Sequence, residues 1–193
     1  MRFLPGLICL LPLLSPLAHA ELIDDINDRG ELRIALEANT APFNFKEDGK
    51  LTGFEVELGE MLAAELDVRP DFVVTDAGDL LPGVESGKYD VAINHIAMTP
   101  ELAERFDLSA AYSRPDAQLL ASKEEPQRPL VMAQSFQPEE EKSGPPPSLV
   151  IPFQKGNPAF KASLDNALTR IKDDGRLEQL SQKWLKKQPA ENN

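Results

Sequence analysis

Residues 123–148 hold six prolines (Pro126, Pro129, Pro138 and the run Pro145-Pro146-Pro147) together with Glu139-Glu140-Glu141-Lys142. Proline fixes φ and lacks the donor N–H, so such a stretch neither continues a helix nor sits in a central strand. Its charge and its shortage of apolar residues predict an extended, solvated linker, with Leu130-Val131-Met132 as its one apolar patch. At 26 residues it is also shorter than the roughly 50 that a domain needs. The chain is therefore expected to place its folded structure on either side, in residues 21–122 and 149–187, with a polar tail over 188–193.

The first twenty residues read as a cleavable secretory signal. Arg2 gives a short positive start, residues 3–17 are apolar but interrupted by Pro5, Pro12 and Pro16, and Ala18-His19-Ala20 offers small residues at −3 and −1. The apolar run is shorter than the roughly 20 residues a membrane span requires. Cys9, the only cysteine, falls inside this segment behind Ile8, which is not a lipidation context, so the chain from Glu21 onward has no thiol for a disulfide or a metal. Export without disulfides points to a bacterial periplasm. Without the signal the charge balance is 19 basic against 32 acidic residues. That leaves no basic stripe for nucleic acid or anionic lipid, and no membrane insertion is expected after cleavage.

Hydrophobic spacing predicts the elements. Residues 22–29 form a short helix closed by Gly30, and Leu32-Arg33-Ile34-Ala35-Leu36 a strand. Ala41-Pro42-Phe43-Asn44-Phe45 reads as irregular. Phe54, Leu58, Met61, Leu62 and Leu66 share one helix face. A strand follows at residues 71–74, then a short helix capped by Asp79, a third strand at residues 90–94, and a helix opened by Thr99-Pro100-Glu101. Gln118 to Ala121 is expected as a further strand. Residues 149–153 resume as a strand, followed by a helix with Phe160, Leu164, Leu168 and Ile171 on one stripe and a last short helix carrying Leu177, Leu180 and Trp184. Strands alternating with helices at this spacing mean an α/β fold around a parallel sheet. Arg105 is expected to pair with Glu101 one turn away.

Four blocks carry a resemblance. They are Ala41-Pro42-Phe43-Asn44-Phe45 with Leu51-Thr52-Gly53-Phe54-Glu55-Val56-Glu57-Leu58; Leu80-Leu81-Pro82-Gly83 through Tyr89-Asp90-Val91; Thr99-Pro100-Glu101 through Tyr112-Ser113; and Phe153-Gln154-Lys155-Gly156-Asn157-Pro158 with Asp174-Gly175 and Lys183-Trp184. Together the chain resembles the periplasmic amino-acid-binding proteins of ABC importers, solute-binding family 3. The resemblance implies a type II periplasmic-binding-protein-like α/β fold reduced to a single lobe, a mostly parallel sheet flanked by helices. Residues 123–148 would stand where the second lobe belongs, and the final helices would return to the first lobe.

The resemblance also implies a ligand site. Relatives hold the amino-acid carboxylate with an arginine where this chain has Leu102. A hydroxyl becomes Ala97, a stacking aromatic Thr40, and an apolar wall Ala77. The residues at family pocket positions are Glu37, Thr40, Phe43, Asn94, His95, Ala97 and Thr99. His95, the one histidine after residue 20, also reads as a hydrogen-bonded structural residue, Glu37 as a solvated acid, and Phe43 and Phe45 as core. Two functions remain open. One is binding of a small polar, amino-acid-like solute for an ABC permease, impaired because a single lobe face cannot enclose a ligand as small-molecule sites do. The other is a non-transport accessory role, in which the exposed face, made more apolar at Ala77, Ala97 and Leu102, docks another periplasmic protein. With one histidine, no cysteine and no metal-ligand spacing, neither an enzyme nor a cofactor is expected.

Overall fold

A computed structural model describes residues 21–113 and 148–185. The expected signal (1–20), the strand at 118–121, the linker apart from Ser148, and the tail (188–193) lie outside these residues.

The chain opens with α1 (Leu22–Arg29), which buries Leu22 and Ile26 and stops at Gly30, whose φ of 68° is the left-handed conformation glycine adopts freely. Strand β1 (Glu31–Leu36) is followed by three short strands, β2 (Asn39–Thr40), β3 (Asn44–Glu47) and β4 (Lys50–Thr52). These form a small antiparallel sheet, so the segment expected to be irregular is partly ordered. Pro42 lies in the turn between β2 and β3, where it displaces no ladder hydrogen bond. Helix α2 (Phe54–Glu65) buries Phe54, Leu58 and Leu62 as the spacing requires.

Next come β5 (Arg69–Val74), α3 (Ala77–Glu85), β6 (Val91–Ala92), α4 (Pro100–Arg105) and β7 (Phe106–Leu108). After residue 148 the chain adds β8 (Pro152–Gln154), α5 (Pro158–Asp173) and α6 (Arg176–Trp184). The main sheet has the order β5-β1-β6-β8-β7. β1 is parallel to β5 through six pairs and to β6 through two, while β8 is antiparallel to both β6 and β7. Four strands thus point one way and β8 opposes them. The sheet is thus mostly parallel, as expected, through β5, β1, β6 and β7. β8 is the exception, because the chain re-enters from the carboxyl edge of the sheet and must run back down it.

Further corrections are local. Leu149 makes isolated bridges to Ala97 and Ser113, and the strand proper starts at Pro152. The N-cap of α3 is Asp76, with Asp79 inside the first turn. Arg105 pairs with Glu85 at 2.7 Å instead of Glu101, because it ends a six-residue helix and turns toward the end of α3.

Each sheet face has its own core. One joins Leu32, Ile34, Phe153, Phe160, Leu164 and Leu168 with α1, α2 and α6. The other joins Ala35, Ala92, Leu80, Val84, Leu102 and Phe106. Alternate residues of β1 serve alternate faces, which is what a strand buried on both sides requires. The final helices therefore pack on the same sheet as the first.

Candidate ligand-binding edge

β1 leads through α2 to β5 on one side, and β5 leads through α3 to β6 on the other. The carboxyl ends of β1 and β6 are therefore a topological switch point, the place where open α/β sheets leave a crevice for ligands. Glu37 follows β1 directly, and Asn94 and His95 follow β6 within three residues.

There the two segments interlock. The Asn94 amide oxygen accepts the Glu37 backbone N–H at 3.0 Å, and Asn94 Nδ2 donates to Glu37 Oε2 at 3.1 Å. Asn39 Nδ2 reaches Glu37 Oε1 at 3.5 Å. Glu37 is half-buried and is held by neutral donors alone among the described residues. The described cations Arg29 and Arg33 are committed to Asp90 at the opposite, amino edge. Asp76 and Asp79 add negative charge beside the end of β5, with the Lys88 ammonium within electrostatic reach of Asp79. At Glu37, whose described donors are all neutral, the carboxylate attracts cations and repels anions.

The other expected residues divide. Phe43 and His95 come together, their rings 5.6 Å apart and tilted by 40°. Phe43 is buried and also meets Phe54 edge-on at 6.2 Å, so it belongs to the core and lines the edge from below. Thr40 Oγ1 donates to Asn39 Oδ1 at 2.9 Å. Ala97 is bridged to Leu149, and Thr99 Oγ1 accepts the Leu102 backbone N–H at 3.1 Å as the cap of α4. Leu102 is 4% exposed inside the core of one sheet face. It adds nothing to the exposed face, which corrects the expectation that its side chain makes that face more apolar. Val74 and Met98 do so instead, at 47% and 54% exposed.

Three residues missed in the sequence lie just beneath. Glu55, fully buried, accepts hydrogen bonds from Asn44 Nδ2 at 2.5 Å, from the Tyr112 phenol at 2.6 Å and from the His95 backbone N–H. Asn44 Nδ2 also donates to Asn94 Oδ1 at 3.0 Å. Burial, then the charge of Glu55 and the hydrogen bond to it, pushes the Tyr112 phenol well above its ordinary pKa. The available signal was Glu55 itself, an acid three and seven residues before Leu58 and Leu62 on the buried stripe of α2. His95 adopts φ 42°, rare for a residue with a side chain. Its backbone N–H is satisfied by Glu55, while Nδ1 is buried without a hydrogen-bond partner among the described residues. No group of three described His, Cys, Asp or Glu side chains is arranged to hold a metal, and no described helix is long and apolar enough to cross a membrane.

A single α/β lobe with a topological switch point at the carboxyl edge of its sheet is the half-unit of the two-lobed periplasmic binding folds. The model of the bacterial extracellular solute-binding proteins, family 3, matches residues 32–187, and the chain belongs to that family. It is 36% identical over 107 residues to the L-cystine-binding protein TcyJ of Escherichia coli K12, covering 55% of this chain and 40% of that protein. Against the probable amino-acid-binding protein YxeM of Bacillus subtilis it is 31% identical over 97 residues, covering 50% and 37%. The chain thus spans about two fifths of the length of these curated relatives. Among solved structures it resembles the arginine-bound Phe57Trp mutant of domain 1 from TmArgBP, with a TM-score of 0.60 and 25% identity over 78% of this chain and 98% of that one.

Proposed function

We propose that the chain is a periplasmic solute-binding lobe that takes a small organic cation at the carboxyl edge of its sheet, and that it acts as a binding module and not as an enzyme. In this reading residues 21–122 and 149–187 form the lobe and residues 123–148 stand in place of a second one. The carrying observation is Glu37: a half-buried carboxylate at the switch point, oriented by Asn94 and lacking an ion pair to any described cation. Phe43 and His95 line the floor, Thr40 flanks the opening, and Ala97 leaves room where a larger residue would crowd it.

The buried Leu102 offers no forked cation to a carboxylate, a contact worth about 1.5–3 kcal/mol. A free amino acid would therefore bind weakly through its carboxylate, and an amine or guanidinium would lead. Domain 1 from TmArgBP is known in an arginine-bound form, which supports binding without a closing jaw. The partner that follows is an ABC permease. Thermal shift of the full chain with arginine, putrescine, cystine and glutamate tests the reading. Arginine or putrescine at a hundred times its Kd adds about 2.7 kcal/mol of stability, glutamate adds none, and Glu37→Gln removes the gain. A flat response to all four overturns it.

A second reading, an accessory protein that docks another periplasmic protein, draws on Val74 and Met98, both exposed on this same edge. It predicts capture of that partner, lost in Met98→Glu, with no response to small solutes.

A further inference from the structure

Glu55 is fully buried and sits in the first turn of α2, and its hydrogen bonds do more than satisfy it. An ionised carboxylate only accepts, so the group facing it from Asn44 must be the NH2. That nitrogen has two hydrogens. One goes to Glu55 Oε2 and the other to Asn94 Oδ1 at 3.0 Å. The amide oxygen of Asn94 is thereby turned inward, where it also takes the Glu37 backbone N–H at 3.0 Å. With its oxygen inward, Asn94 can present only its NH2 to Glu37 Oε2, at 3.1 Å. The second oxygen, Glu55 Oε1, accepts from Tyr112 and from the His95 backbone.

We propose that Glu55 is a positioning residue for the ligand edge: through Asn44 it supplies the second of the two donors that hold the Asn94 oxygen inward and its NH2 against Glu37. The relay Glu55–Asn44–Asn94–Glu37 has a fixed polarity because every link has one donor and one acceptor to offer. Glutamine at position 55 keeps the shape but can present an NH2, so Asn44 loses the restraint that aims its own NH2 at Asn94. The Asn94 oxygen is then held by the Glu37 backbone N–H alone, and its NH2 is placed less firmly against Glu37 Oε2. The inference rests on the ligand reading only for its binding arm, since the amide orientation is a property of the unliganded chain.

The full chain is compared with Glu55→Gln, Asn44→Ala and Leu180→Ala. Nitrogen-15 NMR follows the Asn94 side-chain amide, and calorimetry follows arginine as probe. Glu55→Gln and Asn44→Ala shift the Asn94 amide resonances and weaken arginine about tenfold, the equivalent of one hydrogen bond. Leu180→Ala, a buried position on α6 away from the relay, lowers Tm but leaves both unchanged, which separates the relay from plain support of the core. Should Glu55→Gln fail to fold, Asn44→Ala alone breaks the same link. Unmoved Asn94 resonances in Asn44→Ala, or an equal response in Leu180→Ala, overturns the proposal. If wild type does not bind arginine, the ligand reading falls and the amide resonances still decide the relay.

Discussion

Thr99 has the hydroxyl a ligand site wants, yet its oxygen is already committed to the Leu102 backbone N–H. Thr99→Ala is expected to cost about 1 kcal/mol, the usual loss for an N-cap, by thermal denaturation. It should leave an arginine titration unchanged, because the cap faces its own helix. Glu65 makes a different residue-level prediction. Hydrogen bonds from Arg170 and then Arg176 hold its carboxyl below the usual carboxylate range. A depressed folded-state pKa stabilises above the unfolded value of about 4.3 and is lost as pH falls through the folded value. The Tm difference between wild type and Glu65→Gln, read at pH 7, should therefore shrink steadily below about pH 4.

At the scale of elements, the approach of α2 to the β2–β3 turn places Glu55 under the edge. Gly53 precedes the helix at φ 128°, and a Cβ there would lie 2.3 Å from the Phe43 carbonyl oxygen. The first two helical N–H groups, from Phe54 and Glu55, donate to the carbonyls of Pro42 and Phe43 at 2.9 and 2.8 Å. Gly53→Ala is expected to destabilise by about 1–3 kcal/mol through this crowding, measured by chemical denaturation, and to weaken solute binding with it. The helices were legible from their stripes because burial at a period of 3.6 leaves a clear mark; Phe54, Leu58 and Leu62 are all buried. Strand ends were less so. β6 is only two residues long, since its neighbours pair by single hydrogen bonds such as Asp90 N–H to the Arg33 carbonyl. The direction of β8 has no local signal, because a parallel and an antiparallel strand bury the same residues.

For the whole molecule, the same limit explains why the candidate site was half visible. Glu37 and Asn94 could be placed by resemblance, but Glu55, Asn44 and Tyr112 meet only in space, at separations of 11 and 57 residues. The lobe also has a seam. Leu149 N–H bonds the Ser113 carbonyl at 2.9 Å, and Met98 N–H bonds the Ser148 carbonyl at 2.9 Å. The two points where the chain crosses the sheet margin are thus stapled side by side. Closure entropy rises by only about 0.6 kcal/mol per doubling of loop length, so such a port accepts cargo of very different sizes. Replacing residues 114–147 by a short glycine–serine bridge should leave Tm within a few degrees of the parent. On that prediction the lobe would serve as a socket, into which a jaw, a tether or a reporter could be plugged without rewriting the base.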